Sequence, residues 1–190
     1  KRNNYGVPHN FSEQFAEVYR LHHGVPDDLS YQPIGSAKPE QEIPIDQLRE
    51  KGGRAMIEQA GVPNLLNSFG MQKMHALVEN NYPKFFSDMS VEGQAVVDLG
   101  ALDIFRARER GVPPYNTFRR ELGLPPIEKF EDLGVDAATV EKLKKLYGDD
   151  GVERMDLLVG TSCEKIRPLK GFGQTMFAIF VQMASRRLEA

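Results

Sequence analysis

Residues 98–133, DLGALDIFRARERGVPPYNTFRRELGLPPIEKFEDL, are punctuated as two helices followed by a turn. The first runs from Asp98 to Gly111, which caps it, and Pro113 stands where a chain that has left a helix tolerates proline. Arg106, Arg108 and Arg110 crowd its end, where the helix dipole is negative. Asp103 and Arg106 lie three apart on one face, and a structural salt bridge is the plain reading of that pair. Pro114 then occupies the first position of a second helix over YNTFRREL, which Gly123 and Pro125-Pro126 end. Phe130–Leu133 reads as one short turn.

Downstream, Asp136 caps an amphipathic helix to about Tyr147, with Val140, Leu143 and Leu146 inward and Lys142, Lys144 and Lys145 outward. VERMDLLVG (152–160) predicts a further short helix. A long helix over 174–188, with Met176, Phe177, Ile179, Phe180, Val181 and Met183, is apolar nearly all round, which predicts a central, buried position. Upstream, residues 63–80 carry Leu65, Leu66, Phe69, Met71, Met74, Leu77 and Val78 at helical spacing and stop before Pro83. Asp46 is placed to cap a helix over 46–60, which Gly52-Gly53 weaken by about 1 kcal/mol per glycine. Residues 28–44, with Pro33, Gly35, Pro39 and Pro44, predict a long surface loop, and a strand pair there is only weakly signalled. A first helix spans 11–22, capped by Ser12 and ended by Gly24 and Pro26, after an extended lead-in over 1–10. These elements, about eight helices with little or no strand, predict a mainly α fold packed at globin-like angles, an arrangement that commonly encloses a planar cofactor.

A chain of 190 residues, 41% hydrophobic and 27% charged, has the profile of one globular domain with a real core. A net charge of −3 gives no basis for electrostatic capture of nucleic acid. Cys163, the single cysteine, excludes an internal disulfide and a cysteine-based metal site, and reads as a buried, inert thiol. No apolar run is long enough to span a membrane and no signal peptide is visible, which points to a cytoplasmic or peripheral-membrane location. The chain starts without Met and ends in RRLEA with no helix stop, so a segment of a longer polypeptide is expected.

Four histidines are present, His9, His22, His23 and His75, without HExxH or a Glu-x-x-His pair, which argues against zinc and di-iron centres. Neither a glycine-rich phosphate loop nor GxSxG occurs. His75 reads as a packed or half-exposed histidine with no second ligand type one turn away. Tyr19 and His22 lie three apart on the first helix, so both side chains leave it on the same side. A phenol beside an imidazole serves either as a redox residue next to a metal ligand or, more simply, as the edge of a core. Haem needs one neutral imidazole whose other nitrogen donates to an acceptor. Asp103 is of the right chemical type for that acceptor, and Arg106 for neutralising a haem propionate. Spacing alone does not place either beside His22.

LDIFRARERGVPPYNTFRRELGLPPIEKFEDL (102–133) closely resembles the signature segment of the peroxidase–cyclooxygenase superfamily, the animal haem peroxidases. MDLLVGTSCEK (155–165), GFGQT (171–175) and ASRRLEA (184–190) continue in the family's order, and VYRLH (18–22) is similar to the segment with its proximal ligand. The resemblance implies a multi-helix haem peroxidase-like fold binding haem b, with residues 1–190 the C-terminal part of an incomplete catalytic domain. It implies His22 as the iron ligand, Asp103 as the acidic partner of that histidine and Arg106 as a residue close to the haem. In the oxygenase branch a tyrosine three residues before the ligand, here Tyr19, is oxidised to a radical that abstracts hydrogen from a bound fatty acid. RARERG in place of the peroxidases' RxRDHG, and NNYPKFF (80–86), resemble the α-dioxygenase-like branch. There an arginine of the closing helix pairs with the fatty-acid carboxylate, and Arg186 and Arg187 are both candidates.

Two departures stand beside the likeness. His23-Gly24-Val25-Pro26 replaces the oxygenases' usual Pro-Leu-Leu-Pro, so His23 competes with His22 as ligand, and the family's distal histidine would lie upstream. The expected activity is fatty-acid oxygenation by O₂. The alternatives are peroxidation of small donors by H₂O₂, which needs His22 and Asp103 but not Tyr19, and a helical domain that keeps the fold without haem.

Overall fold

The computed structural model describes residues 12–90, 95–166, 168 and 171–189, with side chains in the last helix through Ser185. The lead-in over 1–10, with His9, lies outside the described residues. Described helices dominate, and the chain separates into two compact units: residues 1–21, 77–80 and 100–190 form one, and residues 22–76 and 81–99 the other.

The first unit is built from α1 (Glu13–Val18), α5 (Leu99–Glu109, from Gly100 onward), α6 (Tyr115–Glu121), α7 (Ala137–Tyr147), α8 (Leu157–Cys163) and α9 (Gln174–Glu189). Their apolar faces meet in one core around Tyr115, Phe118, Phe130, Met155, Leu157 and Met176. α6 lies on α8 closely enough that a Cβ at Gly160 would sit 2.3 Å from the Tyr115 ring, so only glycine fits there. Asp136 caps α7 as its type predicts, accepting from the Thr139 N–H at 2.7 Å. Leu146, expected inward, is 76% exposed; only Val140 and Leu143 of that stripe reach the core. The helix expected over 152–160 is instead a 3₁₀ turn, Gly151–Arg154, followed by α8. α9 is not apolar-buried all round: Met176, Ile179 and Met183 are buried, whereas Val181 is exposed.

The N-terminus of α9 is anchored from a distance. Glu164 accepts from the Thr175 backbone N–H at 2.8 Å and binds Arg119 Nη1 at 2.7 Å, and the Thr175 hydroxyl bridges the same pair. A carboxylate at this helix end meets free N–H groups and the positive end of the dipole. Both charged groups are nearly buried. The Glu164→Ala chain, which leaves the Arg119 guanidinium buried without its anion, is therefore expected to lose about 3–5 kcal/mol in a urea unfolding titration.

In the second unit the stretch read as a loop holds an antiparallel hairpin, β1 (Asp28–Tyr31) with β2 (Gln41–Pro44), in the register Leu29↔Ile43. Leu29 and Ile43 turn to one face and are buried against Leu65 of α3 (Val62–Met71). That covering face is what makes a short hairpin stable in water. The helix expected over 46–60 breaks after a 3₁₀ turn, Ile45–Leu48, and resumes as α2 (Glu50–Ala60), with Arg49 and not Asp46 at its cap. Gly52 and Gly53 are required rather than merely tolerated: a Cβ at Gly52 would lie 1.8 Å from the Gln47 carbonyl oxygen. The helix expected over 63–80 ends at Met71, and a four-residue helix, α4 (Lys84–Ser87), follows Pro83.

Candidate functional site

α1 forms where Ser12 caps it, accepting from the Phe15 N–H at 3.1 Å, but it stops at Val18 instead of running to residue 22. The Leu21 N–H bonds back to the Tyr19 carbonyl at 2.9 Å, which breaks the helical ladder, and Leu21–Gly24 forms a separate 3₁₀ turn. Tyr19 and His22 thus do not share one face of a continuous α-helix. Tyr19 caps α1, with its ring stacked on Phe15 at 5.0 Å between centroids and on Phe180 of α9 at 6.3 Å, the latter pair only 4° from parallel. Its side chain is half exposed, so the phenol borders α9 while remaining reachable.

Asp103, on α5, is fully buried, and Oδ1 lies 3.5 Å from Nε of Arg20. The salt bridge with Arg106 that the spacing suggested is not its arrangement: Arg106 points to the exposed side of α5. Arg108 instead makes a two-pronged bond to Asp156 at 2.8 and 2.7 Å, the Tyr147 hydroxyl donates to the same carboxylate at 2.7 Å, and Arg110 pairs with Glu13 at 2.9 Å. Beside Arg20 and Asp103 stands Glu17, buried on α1. Burial pushes its carboxyl up to about 7; the Arg20 charge opposes this and the Asp103 charge adds to it. Neither Arg20 nor Glu17 stood out in the sequence.

In the other unit His22 is half-buried, and its Nδ1 lies 3.1 Å from the Tyr82 hydroxyl. Phe86 closes one side at 5.1 Å between ring centroids. His23 is buried, edge-on to Tyr82 at 5.3 Å. Tyr82 was visible only as part of NNYPKFF; at 60 positions from His22, no local spacing joins the two rings. His75 is exposed, its backbone N–H bonded to the Gly24 carbonyl at 3.2 Å. Arg186 and Arg187 continue the backbone of α9, and their side chains lie outside the described residues. Cys163 is buried, and burial raises its thiol to about 12, in line with an inert role. Among the described residues no group of three or more His, Cys, Asp or Glu could hold a metal ion, and no helix is long and apolar enough to cross a membrane.

The chain belongs to the animal haem peroxidase family, whose model matches residues 2–190. Within it the similarity runs to α-dioxygenases. The chain is 41% identical to Alpha-dioxygenase PIOX of Oryza sativa subsp. japonica, over 100% of this chain and 33% of that protein. It is 42% identical to Alpha-dioxygenase 1 of Capsicum annuum, over 100% of this chain and 31% of that one. The crystal structure of the Arabidopsis thaliana fatty acid alpha-dioxygenase superposes with a TM-score of 0.89 at 40% identity, covering 100% of this chain and 32% of that one. A tyrosine-to-phenylalanine variant of the Oryza sativa enzyme, solved with palmitic acid, gives 0.89 at 39% identity, covering 100% of this chain and 33% of that one. The chain therefore spans about a third of the length of the curated relatives it matches.

Proposed function

We propose that this chain is the C-terminal part of the catalytic domain of a haem-dependent fatty-acid oxygenase, with Tyr19 as the residue that takes hydrogen from the substrate. The observation that carries this reading is the parallel stacking of Tyr19 on Phe180. It sets a half-exposed phenol along α9, whose apolar side chains suit an acyl chain. At the end of that helix Arg186 or Arg187 is the candidate partner of the fatty-acid carboxylate. The similarity to α-dioxygenases, and the palmitic acid with which one relative was solved, support the same substrate class.

The donor set fits a haem. A half-buried imidazole whose Nδ1 lies 3.1 Å from the Tyr82 hydroxyl, and which carries its proton on that nitrogen, would offer the Nε2 lone pair to iron, and one such ligand suffices. His22 would hold the iron of haem b, and Asp103 and Arg106 are the acid and the cation that the family resemblance assigns to the surroundings of the haem. When bound, haem supplies a one-electron oxidising equivalent. Tyr19 holds that equivalent as a phenoxyl radical and accepts a hydrogen atom from a substrate C–H near the carboxylate. O₂ then adds to the carbon radical, and the resulting peroxyl takes the hydrogen atom back from the Tyr19 hydroxyl, which leaves a hydroperoxide and restores the phenoxyl. The Phe15 and Phe180 rings flank the phenol and limit access of water to one side.

The deciding experiment is oxygen consumption by the haem-loaded polypeptide. Uptake that depends on a long-chain saturated fatty acid and needs no peroxide supports the proposal. Oxidation of small phenols by H₂O₂, with no fatty-acid-dependent uptake, would show a peroxidase instead.

A further inference from the structure

We propose that Glu17 is a positioning residue whose carboxyl, when neutral, leaves the Arg20 guanidinium to Asp103 and, when ionised, draws it away. The geometry is that of one cation shared between two buried acids. Glu17 is buried on α1, and its Oε1 has no hydrogen-bond partner. The Arg20 backbone N–H donates to the Glu17 carbonyl at 3.3 Å, so the two side chains leave adjacent positions of one turn. Arg20 Nε makes no hydrogen bond, and its ion pair with Asp103, at 3.5 Å, is loose for a charge-assisted contact.

The other charged groups facing Glu17 are already committed. Asp156, at the start of α8, is held by both prongs of Arg108. Arg110, just past α5, is held by Glu13. Among the described residues, Arg20 is therefore the neighbouring cation able to move when Glu17 gains charge. Burial, opposed by Arg20 and reinforced by Asp103 and Asp156, places the change near neutrality, from an ordinary 4.5 to about 7. In that window the folded chain keeps a proton that the unfolded chain has released, so stability falls as pH rises from 4.5 to about 7 and levels off above it.

The test follows the Arg20 Nε–H resonance, assigned with Arg20→Lys, across about pH 5.5 to 8.5 in the complete polypeptide. A shift with a midpoint near 7, absent in Glu17→Gln, is expected. A resonance that does not move, or one that moves identically in Glu17→Gln, overturns the proposal. If Glu17→Gln does not fold, the wild-type resonance together with the infrared carboxylic-acid band of a buried, protonated Glu decides the matter: both must titrate with one midpoint. Because this readout needs neither haem nor fatty acid, it stands or falls separately from the oxygenase reading.

Discussion

The Tyr19→Phe chain is expected to lose fatty-acid-dependent oxygen uptake by roughly 100-fold or more while keeping its haem absorption band. The substitution removes only the hydroxyl. The ring, which makes the contacts to Phe15 and Phe180, stays, and the phenol is half exposed, so neither the core nor the end of α1 should change. What disappears is the O–H whose hydrogen the proposed reaction gives up and regains in each turnover, and a phenyl ring has no equivalent. An oxygen electrode and a visible spectrum of the same sample check both halves. Uptake left within a few-fold of wild type would remove Tyr19 from the reaction and would favour the peroxidase alternative, which does not use it.

The second large effect is expected from His22→Ala. Removing a metal's protein ligand costs more than removing the group that orients it, which alone is worth about 10–100-fold in affinity. Haem retention after reconstitution is therefore expected to fall by more than about 100-fold, with collapse of the Soret band. His23→Ala is the discriminating control. His23 is buried edge-on to Tyr82, whereas His22 has the Nδ1 contact that orients a ring for ligation through Nε2. Loss of the band in His23→Ala with retention in His22→Ala would reassign the ligand. Tyr82→Phe, which removes the oxygen facing Nδ1, is expected to weaken haem binding by about 10-fold and leave the ligand in place.

Where the sequence was read correctly, the signal was local. Ser12 and Asp136 cap helices because a side-chain oxygen meets an N–H three residues on; Pro114 missed by one, standing at the cap of α6 and not at the first helical position expected for it. The family motifs are equally local, which is why the fold class and the family were legible before any contact was known. The misreadings have a common cause. Gly52-Gly53 looked like a weakness because the Gln47 carbonyl that presses on them is invisible without the turn at Ile45–Leu48. The hairpin looked like a loop because its buried pair, Leu29 and Ile43, acquires value only when α3 covers it. Tyr19 and His22 were placed on one helix because their spacing is helical, yet a bond from Leu21 back to Tyr19 ends that helix first.

The sequence by itself determined that the chain is mainly helical and that it belongs with haem peroxidases, and it offered Tyr19, His22 and Asp103 as site candidates. Those conclusions rest on residue type, short spacing and contiguous motifs, which need no folding to exist. Only the tertiary structure decided what those residues touch: Arg20 and Glu17 around Asp103, Tyr82 at the Nδ1 of His22, and Phe180 under the Tyr19 ring. Asp103, Tyr82 and Phe180 join the N-terminal segment from 60 to 160 positions away along the chain. Burial then changes the chemistry of a group such as Glu17 by removing the water that would have kept it an ordinary carboxylate.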